Sequence, residues 1–247
     1  MSRSFHPCAL IPTYDNPLTV HSVVTGVRRH LSDVVVIDDG SGPAGRRAVE
    51  EIARQRLAHV KRLERNGGKG AAVKTGFEEA RRLGFSHALQ IDADGQHDLE
   101  DIPRFLDLAH GHPDALILGR PIFDATVPTG RVLARNISTF WVNVETAGRV
   151  IEDPQCGFRV YPIEASIAAE ARGNHMEFDQ ELPVRMVWGG TPVLNVPTRV
   201  RYLSRDAGGV SHFDLLRDNL RISWLHTRLA LTAAGRAITG ARRSGHG

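Results

Sequence analysis

Cysteine and long hydrophobic runs are scarce in this sequence. Among 247 residues there are 2 cysteines, Cys8 and Cys156, and neither belongs to a Cys-x-x-Cys pair. This scarcity excludes a disulfide scaffold and a cysteine-ligated zinc site, and it is typical of a reducing compartment. No apolar run reaches the roughly 18 residues of a membrane span, and the N-terminus lacks the apolar core of a signal peptide. We therefore expect a cytoplasmic protein.

Charge is modest in total but uneven along the chain. The net charge is +3, yet residues 199–247 hold nine arginines against three aspartates, which leaves a net −3 for the first 198 residues. Single-stranded nucleic-acid binders interleave basic residues with stacking aromatic ones, and this tail offers little beyond Phe213 and Trp224. We expect no nucleic-acid partner.

Short apolar runs alternate with helical patterns. Strands are predicted over 8–14, 33–37, 59–63, 87–91, 115–118, 158–161 and 193–202. Helices are predicted over 17–30, 43–56, 70–83, 99–109, 131–150, 163–171 and 178–188, the last started or kinked by Pro183. The alternation predicts an α/β three-layer sandwich, a mostly parallel sheet with helices on both faces. We expect one catalytic domain over 1–205 and a helical tail over 206–247.

Two carboxylates follow one predicted strand, at Asp92 and Asp94. Residues two apart in an extended chain face the same way, so both can point at one ligand. Mg²⁺ or Mn²⁺ is suited to such oxygens together with those of a diphosphate. A plain turn is the alternative, since Asp and Gly are favoured there. The preceding apolar strand and the acids at another strand end favour the metal site.

Those other acids are Asp38 and Asp39, which can accept hydrogen bonds from a nucleotide base or ribose; a turn that caps the next helix is the alternative. The glycine-rich segment 67–70 contains Lys69. It is not a phosphate-binding P-loop, because Leu63 replaces the first glycine and Gly70 the hydroxyl residue. It predicts instead a flexible entry to a helix whose N-terminus can approach an anion.

Polar residues beside aromatic ones recur over 153–159 and 177–181, which favours a sugar-lined pocket. Glu181 could equally be an acid that stabilises a helix N-terminus. Arg120, Arg131 and Arg205 are candidate ligands for anions, although single surface arginines are commonly just solvated. We interpret the histidines, including His97 and His212, as structural.

The order of these motifs resembles the family 2 glycosyltransferases of the GT-A fold, especially the dolichyl- and polyprenyl-phosphate sugar synthases. The matching segments are 11–14, 38–41, 66–71, 92–96, 119–120 and 155–159. Together they cover about residues 8–205. No segment is decisive alone, but their order and spacing are specific.

The resemblance implies roles for individual residues. The nucleotide and its phosphates are expected near Pro12, Tyr14, Asp38, Asp39, Lys69, Gly70, Asp92 and Gln96. Arg120, Arg131 and Arg205 are expected near the acceptor or donor phosphate, and Gln155 on the sugar side. The metal ligands are expected to be Asp92, Asp94 and Gln96. The catalytic set is expected to be Asp94, Asp153, Asp179 and Arg205. A phosphate acceptor is already ionised, so Asp153, Asp179 or Glu181 would act as a base only toward a hydroxyl acceptor.

The chain departs from the family pattern in two places. Asp15 and Asn16 stand where Glu or Asn usually follows the tyrosine, and the C-terminal transmembrane helices of many members are missing. The tail instead is similar to a bacterial subgroup associated with acyltransferases of lipid and aryl-polyene pathways. Its leucines and arginines fit a basic helix in an anionic membrane interface. They equally fit a helix packed on the catalytic domain.

The sequence thus predicts a metal-dependent, inverting glycosyltransferase that uses a nucleotide-diphosphate sugar and a lipid-phosphate acceptor at the cytoplasmic face of the inner membrane. One alternative is transfer to a hydroxyl of another lipid or a polysaccharide of the cell envelope. Another is a non-catalytic, nucleotide-sugar-binding scaffold for an acyltransferase. A sugar-nucleotide nucleotidyltransferase would need a glycine-rich, basic loop after the first strand, and 11–15 is not one.

Overall fold

A seven-stranded sheet organises the fold. The computed structural model describes residues 4–122, 129–148, 150–200 and 215–239, with 129–134 and 215 by their backbone. The strands are β1 Pro7–Thr13, β2 Val34–Asp38, β3 His59–Arg62, β4 His87–Gln90, β5 Leu116–Ile122, β6 Arg159–Pro162 and β7 Val193–Arg199. The helices are α1 Val20–Val27, α2 Pro43–Arg54, α3 Lys69–Arg82, α4 Ile102–Gly111, α5 Thr129–Glu145, α6 Ile163–Ala168, α7 Phe178–Trp188 and α8 Leu215–Ile238.

The strand order is β3-β2-β1-β4-β6-β5-β7, and β6 alone runs antiparallel to its neighbours among these strands. The central strands are apolar and buried along their length, as expected for strands covered on both faces. Arg159, the first residue of β6, pairs with Gln90, the last residue of β4. The segment that leads into β6 therefore meets the carboxyl edge of the parallel strands, where ligands bind in such sheets.

Helices cover both faces of the sheet. On one face α1, α2 and α4 bury residues such as Val24, Ile52 and Phe105 against the strands. On the other face α3, α5, α6, α7 and α8 surround a core that includes Phe77 and Leu182. The predicted three-layer, mostly parallel α/β sandwich is confirmed.

Some predicted helix boundaries are wrong. The helix predicted from residue 17 begins at Val20, because the N–H groups of Thr19 and Val20 both donate to the carbonyl of Asn16 and close a turn first. The helix predicted over 131–150 spans Thr129–Glu145, and the one predicted over 163–171 ends at Ala168.

Helix α7 continues through Pro183 instead of starting there. A proline cannot donate to the carbonyl four residues earlier, which here belongs to Asp179. The buried guanidinium of Arg159 supplies the missing donor, with Nη1 2.7 Å from the Asp179 carbonyl oxygen. The strand β6 thereby replaces a hydrogen bond that the helix itself cannot make.

The tail helix α8 packs on α5 and α7. Leu225 and Leu229 are 1% exposed, and His226 lies between Glu145 of α5 and Gln180 of α7. This is the packing that the sequence left as one of two alternatives. None of the helices in the described ranges has the length and apolarity needed to span a membrane.

Candidate active site

An ion cluster lies beyond the carboxyl ends of β1 and β4. Lys69, the first residue of α3, places Nζ 2.8 Å from Oδ1 of Asp92 and 2.7 Å from Oδ2 of Asp179. His97 adds Nε2 at 3.8 Å from the other Asp92 oxygen. Segments from three parts of the chain therefore meet at one ammonium group.

Burial and charge act in opposite directions on this cluster. Burial alone would raise the pKa of Asp92, but the Lys69 ammonium and His97 hold it well below its usual range. Burial likewise disfavours the Lys69 ammonium, yet Asp179 and Asp92 raise its pKa above the ordinary value. The Asp92 carboxylate and the Lys69 ammonium thus remain charged around neutrality.

Asp94 lies near Asp92, but on a turn after the end of β4 at Gln90 and not in the extended chain that the alternation assumes. Its carboxylate accepts a hydrogen bond from the backbone N–H of Gln96 at 3.0 Å, so the pair belongs to a tight turn as well. Burial raises the pKa of Asp94, and the negative charge of Asp92 raises it further. Gln96 enters this turn through its backbone.

The donor atoms here suit a hard divalent cation. Asp92 and Asp94 supply carboxylate oxygens, and Oδ1 of Asp179 is buried without a hydrogen-bond partner. Across the described ranges no three His, Cys, Asp or Glu side chains stand ready to enclose an ion. The chain's own ligands therefore fit a metal that completes its coordination with oxygens from elsewhere, as those of a diphosphate would.

Gly157 packs directly against Asp92, which sequence analysis missed. A Cβ built on Gly157 would fall 2.1 Å from Oδ2 of Asp92. The Asp92 carboxylate can occupy its position only because residue 157 has no side chain. The signal available in the sequence was a glycine inside a segment rich in polar and aromatic residues.

Asp39 joins the end of β2 to the entry of α3. Its two oxygens accept the N–H groups of Gly67 and Gly68, each at 2.8 Å. Burial raises the pKa of Asp39, and these two hydrogen bonds lower it. Gly70, the second residue of the helix, packs against Phe178. Asp39 thus fixes the backbone of the two glycines that precede Lys69.

Asp38 has a different role from the predicted one. It is fully buried, pairs with Arg62 and accepts the N–H of Ser41, so its carboxylate is not open to a ligand. This corrects its assignment as a nucleotide contact and favours the turn alternative. Pro12 is buried at the end of β1, and Tyr14 is half-buried just beyond it.

Asp153 is also committed within the protein. Nη1 of Arg135 lies 2.8 and 2.6 Å from its two oxygens, and the N–H groups of Gln155 and Cys156 donate to it at 2.8 and 2.7 Å. With both oxygens occupied by these donors, the carboxylate is not open to a hydroxyl acceptor. The structure thus corrects the prediction of Asp153 as a catalytic base. Gln155 turns its amide to Ser138 of α5.

Glu181 is held in the same manner. It is fully buried and accepts hydrogen bonds from Arg185, from the N–H of Gly173 and from Arg228 of the tail helix. It ties α8 to α7 and is not open to an acceptor.

Of the three predicted arginines, Arg120 has a side chain within the described part of the chain. Arg120 pairs with Glu152 at 2.7 Å and is partly exposed. Arg131 lies on α5, where its side chain is outside the described part, and Arg205 lies outside the described residues. Arg159, which was not singled out, is fully buried and donates to three backbone carbonyls, those of Cys156, Pro154 and Asp179. Its signal in the sequence was its place in the segment 155–159, next to an apolar strand.

Sheet and site together place the chain among the α/β proteins that have acidic groups at the carboxyl edge of a parallel sheet.

Residues 8–165 match the model of glycosyl transferase family 2, and the chain belongs to that family. The polyprenol monophosphomannose synthase of Mycolicibacterium smegmatis is 30% identical over 81% of this chain and 78% of its own. The undecaprenyl-phosphate mannosyltransferase of Micrococcus luteus is 26% identical over 81% and 84%.

The fold has solved counterparts. The glucosyl-3-phosphoglycerate synthase of Mycobacterium tuberculosis, crystallised with Mn²⁺ and UDP-glucose, superposes with a TM-score of 0.66 at 14% identity, over 93% of this chain and 79% of that one. The predicted GT-A fold and the resemblance to the polyprenyl-phosphate sugar synthases are confirmed. The protein is a glycosyltransferase of family 2.

Proposed function

We propose that this enzyme transfers a sugar, with inversion and with Mg²⁺ or Mn²⁺, from a nucleotide-diphosphate sugar to a lipid-linked phosphate. The observation that carries the proposal is the cluster of Lys69, Asp92 and Asp179 with Asp94 beside it. The relatives named above for polyprenol and undecaprenyl-phosphate substrates support the acceptor class. The neighbour crystallised with Mn²⁺ and UDP-glucose supports the donor and the metal.

Asp92 and Asp94 would hold the metal. Its charge would neutralise the diphosphate that leaves when the sugar is transferred. Asp92 is ready for this role because it stays ionised under the influence of Lys69. Gln96 is proposed as a further contact to the metal and the diphosphate.

Lys69 would contact the anionic donor. It stands at the first position of α3, where the ammonium group and the helix N-terminus both favour negative charge. Asp39 keeps the preceding glycines in place through two backbone hydrogen bonds. We propose Pro12, Tyr14 and Gly70 as the remaining contacts to the nucleotide, Gln155 on the sugar side, and Arg120, Arg131 and Arg205 as contacts to phosphate.

The state of the carboxylates favours a phosphate acceptor. Asp153 and Glu181 are occupied by donors from within the protein, and Asp179 forms an ion pair with Lys69. A phosphate oxygen is already ionised and needs no base. Transfer to a hydroxyl of another lipid or of a polysaccharide would require Asp179 to act as the base, and it is the second candidate.

Such an acceptor lies in a bilayer, so we propose that the protein works at the cytoplasmic face of the membrane. A partnership with an acyltransferase follows only from the resemblance of the tail, and it stays a prediction. Incubation of the protein with such an acyltransferase and the transfer assay below would test it.

The metal assignment is tested with Asp94→Asn. We expect this variant to lose nucleotide-sugar turnover by at least about 100-fold in Mg²⁺ or Mn²⁺ while its melting temperature stays close to that of the wild type. Asp107→Asn, on the exposed side of α4, is the matched control and should retain full activity. Full turnover by Asp94→Asn would overturn the assignment.

The acceptor is tested by a screen of nucleotide sugars against polyprenyl phosphate and a bacterial lipid extract, followed by mass spectrometry. A glycosylated polyprenyl phosphate is expected, and NMR of its anomeric centre should show inversion relative to the donor. A product on another lipid alone would favour the second candidate. Donor binding without any product would favour the non-catalytic scaffold.

A further inference from the structure

Helices α5 and α8 together expose an apolar surface. The large apolar side chains that are between 38% and 85% exposed on these two helices are Ile137, Phe140, Trp141, Val144, Leu216, Leu220, Trp224, Leu231 and Ile238. On each helix they recur at intervals of three, four or seven residues and so form one stripe. We call this pair of stripes the outer face.

Most of the outer face does not pack the tail helix on the domain, although Trp141 stacks on His226 with ring centroids 6.2 Å apart. Helix α8 already buries Leu225 and Leu229 on its opposite side. His226 fixes the rotation of the helix, with its ring nitrogens 2.8 Å from Glu145 and 2.9 Å from Gln180. A surface helix with one buried face normally presents polar residues to water. Helix α8 instead has a second apolar stripe that cannot turn inward.

The border of the outer face is basic. Arg217, Arg221 and Arg228 follow Leu216, Leu220 and Trp224 by one or four positions, along the same side of the helix. The described part of α8 holds four arginines and one acid, Asp218. Arg221 pairs with Asp218 and Arg228 with Glu181 of α7, which leaves two arginines in excess of these two acids. Residues 199–247 as a whole carry the +6 described above. An apolar centre with a positive border complements anionic lipid headgroups over acyl chains.

The aromatic residues of the outer face fit the same partner. Trp141 and Trp224 expose a large apolar ring with one polar N–H, and Phe140 stands beside Trp141 with ring centroids 5.6 Å apart. Tryptophan is enriched where one end of a side chain is apolar and the other is wet. A border of one charge sign would repel a second copy of the same face in a two-fold dimer.

The outer face is also attached to the site. On α5, Arg135 binds Asp153 and Ser138 accepts a hydrogen bond from Gln155. Both partners belong to the segment before β6, in which Gly157 packs against Asp92. Under α8, Gln180 contacts His226, and it directly follows Asp179 of the ion cluster. The two helices that carry the outer face thus brace the two segments that border the cluster.

We infer that the outer face is a membrane-docking surface whose partner is an anionic bilayer. The inference deepens the proposed function, on which it rests, by naming the surface through which a lipid-linked acceptor is reached. It requires that α5 and α8 lie along the interface, with the apolar stripes in the headgroup region and the arginines beside the phosphates. No part of the described chain then needs to cross the bilayer.

The test is sedimentation with vesicles of phosphatidylglycerol and phosphatidylcholine, and with vesicles of phosphatidylcholine alone. The wild type should bind the anionic vesicles, and high salt should weaken binding. The double variant L220Q/W224Q should bind about tenfold more weakly or less, with an unchanged melting temperature because both side chains are exposed. Leu18→Gln removes a leucine that is 72% exposed outside the outer face, and it should bind like the wild type.

Several results would overturn the inference. They are equal binding by the double variant and the wild type, no vesicle binding by the wild type, and a wild-type dimer that L220Q/W224Q dissociates in analytical ultracentrifugation. The wild type could transfer sugar to a short-chain, water-soluble polyprenyl phosphate and yet not bind vesicles. That result would overturn only the docking surface. Vesicle binding without transfer to any acceptor would overturn only the proposed function.

Discussion

At residue 157 the absence of a side chain controls the position of Asp92. We predict that Gly157→Ala lowers turnover by about 100-fold, because a methyl group 2.1 Å from Oδ2 must displace that carboxylate by an ångström or more. The flexible Asp92 side chain can move, so the fold should survive. Steady-state kinetics and thermal unfolding measure the two effects.

Gly111→Ala is the control for Gly157→Ala, because nothing lies within 4 Å of the Cβ that it would add. Its activity and melting temperature should match those of the wild type. If Gly157→Ala were as active as Gly111→Ala, the position of Asp92 would not limit turnover.

Lys69 supplies the positive charge between Asp92 and Asp179. We predict that Lys69→Met destabilises the protein by about 2–4 kcal/mol at pH 7, because it leaves the buried Asp179 and the partly buried Asp92 carboxylates without their counter-ion. Urea unfolding at several pH values measures this. Lys74→Met, on the same helix, removes a lysine that hydrogen-bonds to Asn174, and it should cost much less.

The sign of the pH effect follows from the lowered pKa of Asp92. In the wild type, the stability from its pairing is present above the ordinary aspartate pKa of 3.8 and is lost as the pH falls through the lower, folded-state value. Without Lys69, ionisation of Asp92 costs stability instead. The difference in free energy of unfolding between the wild type and Lys69→Met should therefore be largest at neutral pH and should become smaller below pH 3.8. A constant gap would contradict the counter-ion role.

At the scale of elements, Arg159 connects β6, α7 and the segment before β6. We predict that Arg159→Met costs about 3–5 kcal/mol, because three carbonyls and the hydroxyl of Tyr161 lose their donor in a buried place. Arg159→Lys should recover little of the stability that Arg159→Met loses, because an ammonium group cannot reproduce the planar set of guanidinium donors. Urea unfolding of both variants measures this. Recovery of wild-type stability by lysine would show that charge alone matters.

Glu79 links α3 to β3. It accepts hydrogen bonds from Arg82 within the helix and from Lys61 and His59 of the strand. The Arg82 hydrogen bond, with those of Lys61 and His59, lowers the pKa of Glu79 from 4.5 to about 2. We predict that Glu79→Gln costs about 1–3 kcal/mol at pH 7.

The pH dependence of Glu79→Gln has a definite sign. A lowered folded-state pKa gives stability that is present above pH 4.5 and is lost as the pH falls toward about 2. The difference from the wild type in urea unfolding should accordingly shrink over that window. Glu78→Gln, beside it on the helix and paired with Arg81 at the surface, is the control and should show little change.

The elements show what the sequence could predict. The strand–helix alternation and the acids after the apolar runs led to the sheet, to Asp92 and Asp94, and to Lys69, because these signals are local. The direction of β6 was not accessible, since four residues carry no directional pattern. Yet that direction brings Gly157 to Asp92. The roles of Gly157, Arg159 and Asp153 depend on this contact between distant segments, and sequence reasoning missed or misassigned them.

At the scale of the whole molecule, the excess positive charge lies in the same part of the chain, residues 199–247, as the tail helix. The sequence left open whether the tail packs on the domain or contacts a membrane. The structure gives α8 an inner face in the core and an outer face of leucine and tryptophan. The two alternatives therefore do not compete, because they concern opposite sides of one helix. The earlier boundary between a catalytic domain and a tail stays a prediction.

The inner face makes α8 part of the same cooperative unit as the sheet. We predict that Leu225→Ala and Leu229→Ala each cost about 2–5 kcal/mol, because both side chains are 1% exposed and a cavity would remain. Leu231→Ala, from a position 70% exposed, should cost well under 1 kcal/mol. Urea unfolding followed by tryptophan fluorescence and by circular dichroism measures this. Coincident transitions at a lowered midpoint are expected, since α8 contributes to the core that covers the sheet. Two separate transitions, with only the first shifted by Leu225→Ala, would mean that α8 unfolds independently and that His226 does not couple it to α7.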